Sequence, residues 1–397
     1  MPRLFILHLT TFLQGGAGRA IVDLACAQQA AGHQVIVVSS ATGEAGYGNY
    51  PHDVDRLANA GVPLVLEDSL FKRDRALNRR VLDRLHADLP QSPVDVIHAH
   101  AGTPARIGLL LARRAGRRTP VIQTQHGWGT NKTPAQARED LDVLRAVDRV
   151  VVTSEATRSL LIEQGIPAEH THTIPCGIPD RTAGLPGEAE AALAPFRARG
   201  DQLVGCVGSV NANKNQRLLV EALARIAHGS RVHTPGPGRR RVHTAGLGRR
   251  VACVFIGEGG EDLQPLAAEM GVADRILALG YRPDAERWMP AFDLLAIPSF
   301  TEGQGLVVLE AFRAGVPVIA SDIAPLRHLV TEGETGWLFD PHDATTLVSA
   351  IERALDVPSM ERARITGRAR CRFLEDYTAD QMVERHDRLY YQHARSG

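Results

Sequence analysis

No stretch of this 397-residue chain approaches the ~18 unbroken apolar residues of a membrane-spanning helix, so no transmembrane segment is expected. Net charge is lacking too: 45 Lys plus Arg offset 45 Asp plus Glu, which removes any global field favouring nucleic acid or an anionic bilayer. Cysteines are few, odd in number and scattered. Cys26, Cys176, Cys206, Cys253 and Cys371 make neither a disulfide frame nor a metal cluster, and they read as reduced core residues. The amino terminus has Arg3 before Leu4–Leu9 but no long apolar region or cleavage site, which makes it a first strand rather than a signal peptide. A cytoplasmic location is the expectation, with peripheral contact at the inner face of a membrane left open. Also missing are a Gly-x-Gly-x-x-Gly dinucleotide fingerprint at the first strand-to-helix turn and a Walker sequence.

What is present is an ordinary globular composition, 44% apolar and 23% charged. At this length a single core stops growing, and two domains of roughly 180 residues are expected. Apolar runs at Leu4–Leu9, Val35–Ser39, Leu64–Leu66, Val94–Ile97, Val121–Thr124 and Val150–Thr153 leave room for crossover helices, the pattern of a parallel sheet. Gly15-Gly16-Ala17-Gly18 reads as the turn after the first run, with a helix over Arg19–Ala31. A Pro/Gly-marked stretch, Pro175–Pro186, precedes a second series. Its strands are expected at Leu203–Val207, Val251–Ile256, Ile276–Leu279, Leu294–Ile297 and Val316–Ala320, and helices at Gln216–Ala227, Leu306–Ala314 and Ala344–Leu355. Both series place the chain in the α/β class as doubly wound, Rossmann-like domains. Residues 231–250 repeat a decapeptide rich in glycine, proline and arginine. That composition opposes regular packing, so the repeat reads as an exposed loop extension whose six arginines are available to an anionic acceptor or a membrane surface.

The most informative segment runs from Ser299 to Ala320. A buried strand ending at Pro298 delivers Ser299–Gln304 to its carboxyl edge, Gly305 lets backbone approach a ligand, and a helix follows until Gly315. Glu302 then sits in the loop and Glu310 in an early helical turn, beside N–H groups suited to a phosphate. The core Glu-Gly-x-Gly-Leu-x-x-x-Glu-Ala-x-x-x-Gly-x-Pro-Val resembles the Glu-x7-Glu motif of the retaining glycosyltransferases of family 4. The resemblance spans nearly the whole chain, strongest over 203–216 and 299–320. It implies the GT-B fold, two doubly wound Rossmann-like domains facing across a cleft. It also implies an acceptor-side domain over 1–180, a nucleotide-sugar domain over 181–365, and a last helix over 366–397. That helix would cross back to the first domain through Phe373, Tyr377, Met382, Leu389 and Tyr390.

The same resemblance assigns roles to residues. Glu310 would hold the nucleotide ribose and Glu302 the transferred sugar, with Gln304, Gly305 and Leu306 lining the donor at the helix start. Lys214, at the start of a helix, would put a compact positive charge on the departing diphosphate. The family pattern has an arginine five residues before that lysine, where this chain has Ser209; Arg217, Arg282 or Arg19 would have to compensate. Gly15 and Gly16 match a Gly-Gly turn near the donor phosphates and acceptor. His126, in His126-Gly127, matches the histidine that approaches sugar or acceptor and is expected to orient substrate, and His100 is a further acceptor-side candidate. Gly257, in Gly257-Glu258-Gly259, and Arg282, after Gly280-Tyr281, resemble loops around the nucleotide. His98 and His100 lack the spacing of a zinc site, so no metal is expected.

The expected activity is a metal-independent, retaining transfer from a nucleoside-diphosphate sugar, UDP-linked, to a glycan, a lipid-linked saccharide or a small hydroxyl acceptor. Bacterial cell-surface glycan synthesis, including polysaccharide and lipopolysaccharide, is the expected setting. No separate cofactor and no nucleic acid enter. Two readings stand beside it: a nucleotide-sugar epimerase of the same fold, and a non-catalytic carbohydrate-binding protein, motivated by Ser209. A glycoside hydrolase would need both carboxylates beside one scissile bond, about 5–9 Å apart, whereas this motif divides them between sugar and ribose.

Overall fold

A computed structural model describes residues 2–43, 46–68, 72–89, 93–114, 119–128, 132–181, 184–229 and 250–394. Its strands are β1 Phe5–Leu9, β2 Gln34–Ser39, β3 Leu64–Leu66, β4 Val96–Ala99, β5 Val121–Gln125, β6 Arg149–Val152 and β7 Thr171–Thr173, then β8 Gln202–Val207, β9 Val251–Ile256, β10 Ile276–Ala278, β11 Leu294–Ile297, β12 Val318–Ser321 and β13 Trp337–Phe339. The chain divides into two units. The first runs to Pro179 and resumes at Glu375; the second is Asp180–Leu374.

In the first unit the sheet order is β3-β2-β1-β4-β5-β6-β7, with parallel neighbours. Its strands are apolar nearly throughout because helices cover both faces of such a sheet. The exception is instructive: His8 of β1 lies beside His98 of β4, at the point where strand order reverses. The turn expected over Gly15–Gly18 is instead the start of a helix, Gly15–Ala30, with the Gly18 N–H donating to the Gln14 carbonyl at 3.0 Å. Packing explains the difference. A Cβ on Gly18 would come 2.5 Å from the Leu13 carbonyl carbon, so glycine lets the first turn fold tightly onto the chain leaving β1. Leu389 and Tyr390 of the helix Ala379–Ala394 join Leu4, Ile6, Val96, Ile122 and Val151 in a buried cluster. Tyr377 and Met382 are buried in this unit as well, but Phe373, grouped with them by sequence, is a buried residue of the second unit.

In the second unit the order is β10-β9-β8-β11-β12-β13, reversing between β8 and β11. Leu219 and Leu223 from the helix Gln216–Ala227, with Leu347 and Ile351 from the helix Ala344–Asp356, cluster with Val204, Cys206 and Cys253 of the sheet. Burial pushes the Cys206 thiol, and Cys176 of the first unit, up to about 12. Cys371 departs from the core reading and is exposed. The duplicated decapeptide lies outside the described residues except for Arg250, which donates to Asp201 at 2.8 Å. No helix among the described residues is long and apolar enough to cross a membrane.

Candidate functional site

In the second unit, β8, β9 and β11 send loops to the carboxyl edge of the sheet around its reversal point, where open parallel sheets bind ligands. Gly208 and Gly257 follow β8 and β9 with φ of 139° and 152°. A Cβ on Gly257 would meet the Gly208 carbonyl oxygen at 2.2 Å, so the contact between the two loops requires glycine. The Gly257 N–H donates to the Gly280 carbonyl at 2.8 Å and the Val210 N–H to the Glu258 carbonyl at 2.7 Å, which ties three loops into one layer. Buried Gln216 anchors that layer to the helix behind it, donating its amide to the carbonyls of Gly208 at 3.3 Å and Ser209 at 3.1 Å.

Asn211 Oδ1 accepts from the backbone N–H groups of Asn213 and Lys214 at 3.0 and 3.1 Å, an Asx-type turn that holds Lys214 just ahead of the helix. Lys214 Nζ lies 2.6 Å from Glu302 Oε1, and the Ser299 hydroxyl donates to the same oxygen at 2.7 Å. The Phe300 N–H donates to the Asn213 carbonyl at 2.8 Å, fastening the β11 loop to the β8 loop. The Glu302 side chain is 10% exposed and that of Lys214 33%. Gln304 is buried, and Glu310 is buried in the second turn of the helix Leu306–Ala314, which follows Gly305 without a side-chain cap. The first N–H groups of a helix have no partner inside it. One cation and two shielded carboxylates beside them suit a ligand that is anionic at one end and rich in hydroxyls at the other. Ser209 is exposed. Of the arginines expected to compensate for it, Arg282 donates to Glu188 at 2.8 Å, Arg217 is exposed, and Arg19, in the first unit, lies 3.8 Å from Asp23.

In the first unit, Gly15 and Gly16 are exposed in the first turn of the helix after β1, and half-buried His126 follows β5. His126 Nε2 lies 3.1 Å from His100 Nδ1, and His100 Nε2 lies 2.9 Å from His8 Nδ1. Nitrogens of His8, His98 and His100 come within 4.8 Å of one another, a spacing that would admit a metal ion, but each ring already has hydrogen-bonded neighbours. Burial lowers His8 and His126 to about 4, and holds His98 and His100 well below the ordinary histidine range with help from the neighbouring imidazoles.

The structure thus brings Lys214 and Glu302 into contact and sets Ser209, Gly257, Gln304, Gly305, Leu306 and Glu310 at the same sheet edge, with Gly15, Gly16 and His126 at the edge of the other sheet. Sequence reasoning overlooked Ser299 as a partner of Glu302, the Asn211 turn, Gln216, His8, Gln28 and the hydrogen bond of Tyr390 to His98, having singled out Tyr390 only as a packing contact of the last helix. The Ser-x-x-Glu spacing and a histidine inside an apolar strand were usable signals. Tyr390, 292 residues from its partner His98, offered none.

A family model described as "Glycosyltransferase Family 4" matches residues 14–181, and one described as "Glycosyl transferases group 1" matches residues 201–356. A D-inositol 3-phosphate glycosyltransferase of Stackebrandtia nassauensis is 30% identical over 327 residues, 76% of this chain and 69% of that protein. D-inositol 3-phosphate glycosyltransferase 1 of Catenulispora acidiphila is 28% identical over 310 residues, 72% of this chain and 70% of that protein. Among solved structures, Anabaena HepE in complex with UDP and glucose superposes with a TM-score of 0.77 at 20% identity, covering 98% of this chain and 99% of that one. This last is a likeness of fold.

Proposed function

The chain belongs to the family 4, group 1 glycosyltransferases of GT-B fold, enzymes acting on nucleoside-diphosphate sugars, and from that premise we propose a retaining transfer from a UDP-linked sugar to a hydroxyl acceptor. The contact between Lys214 and Glu302 carries the reading. Without donor the two charges neutralise each other. With donor present, the diphosphate takes the Lys214 ammonium and Glu302 is released to accept hydrogen bonds from the sugar. As the bond from the anomeric carbon to phosphate oxygen breaks, negative charge grows on the diphosphate, where Lys214 and helix-start amides stabilise it, so the scheme needs no divalent ion. The acceptor oxygen bonds to the anomeric carbon on the face the phosphate leaves, and its proton passes to the departing phosphate. Glu310 is assigned to the ribose hydroxyls, and Ser209, Gly257, Arg282, Gln304, Gly305 and Leu306 to the rest of the nucleotide. Gly15, Gly16 and His126 are assigned to substrate contacts of the first unit.

The names of the relatives make D-inositol 3-phosphate the first small acceptor to try, ahead of glycans and lipid-linked saccharides. A cytoplasmic setting in bacterial surface-glycan synthesis, with peripheral membrane contact and no nucleic-acid partner, completes the proposal. A panel of nucleotide sugars scored by protection against heating identifies the donor, since selective binding to the native state raises its stability. UDP release with and without acceptors then identifies the reaction. A melting temperature unmoved by every nucleotide sugar, with none consumed, refutes the proposal. Donor isomerised without acceptor would mean an epimerase, and binding without turnover a carbohydrate-binding protein.

A further inference from the structure

Two helices of the first unit each aim a fully buried polar side chain at the histidines: Gln28 from Gly15–Ala30 and Tyr390 from Ala379–Ala394. Gln28 Nε2 donates to the Tyr390 hydroxyl at 3.3 Å, and Gln28 Oε1 lies 2.7 Å from His8 Nε2. An amide oxygen only accepts, so His8 carries its proton on Nε2. His8 is neutral at ordinary pH, which leaves Nδ1 bare to accept from His100 Nε2–H at 2.9 Å. His100, neutral as well, accepts at Nδ1 from His126 Nε2–H at 3.1 Å. The last ring in the chain, His126, is left with an unprotonated Nδ1 that has no partner among the described residues.

The other end closes consistently. The Tyr390 hydroxyl accepts from Gln28 and donates to His98 Nδ1 at 2.6 Å, and His98 Nε2–H donates to Thr124 Oγ1 at 2.7 Å. Turning the Gln28 amide over would reverse every bond and put the proton on His126 Nδ1. The short phenol–imidazole contact opposes that reversal, because the phenol is the better acid and the bare imidazole nitrogen the better acceptor.

From this geometry we propose that Gln28 and Tyr390 are positioning residues that fix the tautomer of His126, so that its Nδ1 lone pair accepts a hydrogen bond from a substrate hydroxyl. The ligand chemistry this selects is a neutral sugar hydroxyl, since an anionic oxygen would find a lone pair where it needs a donor. The substrate role rests on the proposed function; the tautomer does not.

Protein labelled with 15N in histidine alone, with His126 assigned through His126→Gln, distinguishes the two ring nitrogens by chemical shift and N–H coupling. Wild-type protein at neutral pH should show a proton on His126 Nε2 and a bare Nδ1. Gln28→Met and Tyr390→Phe should each populate both tautomers. They should slow UDP release from UDP-glucose in proportion to the fraction of the Nε2–H tautomer lost, about twofold when the two tautomers are equally populated, with KM for UDP-glucose changed by no more than about twofold. A proton on wild-type Nδ1, or a His126 tautomer unmoved in both variants, overturns the inference. So does a shift of the His8, His98 and His100 signals together on adding zinc, which would mean a metal centre. A wild-type protein that shows the expected tautomer but consumes no nucleotide sugar refutes the function and leaves the positioning chain standing.

Discussion

A cation and a carboxylate drawn from sequence positions 88 residues apart meet at 2.6 Å, and this pair is where substitution should speak most directly. Lys214→Ala removes the charge proposed to face the departing diphosphate and should lower kcat roughly 10²–10³-fold, the scale of one lost transition-state donor. Glu302→Gln should also slow transfer while leaving the Ser299 hydroxyl an oxygen to donate to. Because the two side chains share one interaction, the double variant should lose less than the sum of the single losses. Initial rates of UDP release across the four proteins test this, and strictly additive losses would separate the residues functionally. Lys214, Glu302 and Glu310 could be singled out as candidates because each sits in a local, ordered stretch, Lys214 after β8 and the two glutamates after β11. Ser299, Asn211 and Gln216 were not singled out, because serine, asparagine and glutamine near a turn have many structural uses.

At the level of elements, the layer of loops after β8, β9 and β10 depends on the glycine contact between Gly208 and Gly257. Gly257→Ala places a methyl 2.2 Å from a carbonyl oxygen at a φ of 152°. It should cost at least about 1–3 kcal/mol of strain and weaken UDP binding more than the fold. Urea midpoints and UDP titration report the two effects, and a variant with wild-type values in both would show that the loops part without consequence. Long apolar runs were legible as strands, while β7 and β13 were not anticipated. Each has three residues, and β7 alternates threonine and histidine, so its strand character comes from pairing with β6 rather than from its own pattern. The start of the helix at Gly15 was obscured because glycine clusters signal turns, and only the close approach of Gly18 to Leu13 shows why they begin a helix here.

For the molecule as a whole, the first unit carries an acid-sensitive core. His8, His126 and His386 are lowered by burial to about 4, with His98 and His100 lower than the ordinary 6.5 as well. The unfolded chain therefore binds more protons than the folded one below pH 6.5. Stability present above that value is lost as pH falls toward 4. Hydrogen exchange between roughly pH 7 and pH 5 should show β1, β4 and β5 losing protection ahead of β8 and β9. Equal loss in both sheets would place the acid-labile groups elsewhere.

Composition and periodicity by themselves determined two parallel α/β domains, and the ordered run of glycines and carboxylates from Glu302 to Glu310 carried the resemblance that points to the second as the donor side. Those features are local, set by which residues follow one another along a strand, loop and helix. Only the tertiary structure decided that Lys214 touches Glu302, that His8 completes a row with His98, His100 and His126, and that Gln28 and Tyr390 hydrogen-bond to that row. Such contacts join segments tens to hundreds of residues apart, and nothing in a single chain of letters encodes the direction of a buried hydrogen bond until packing brings donor and acceptor together.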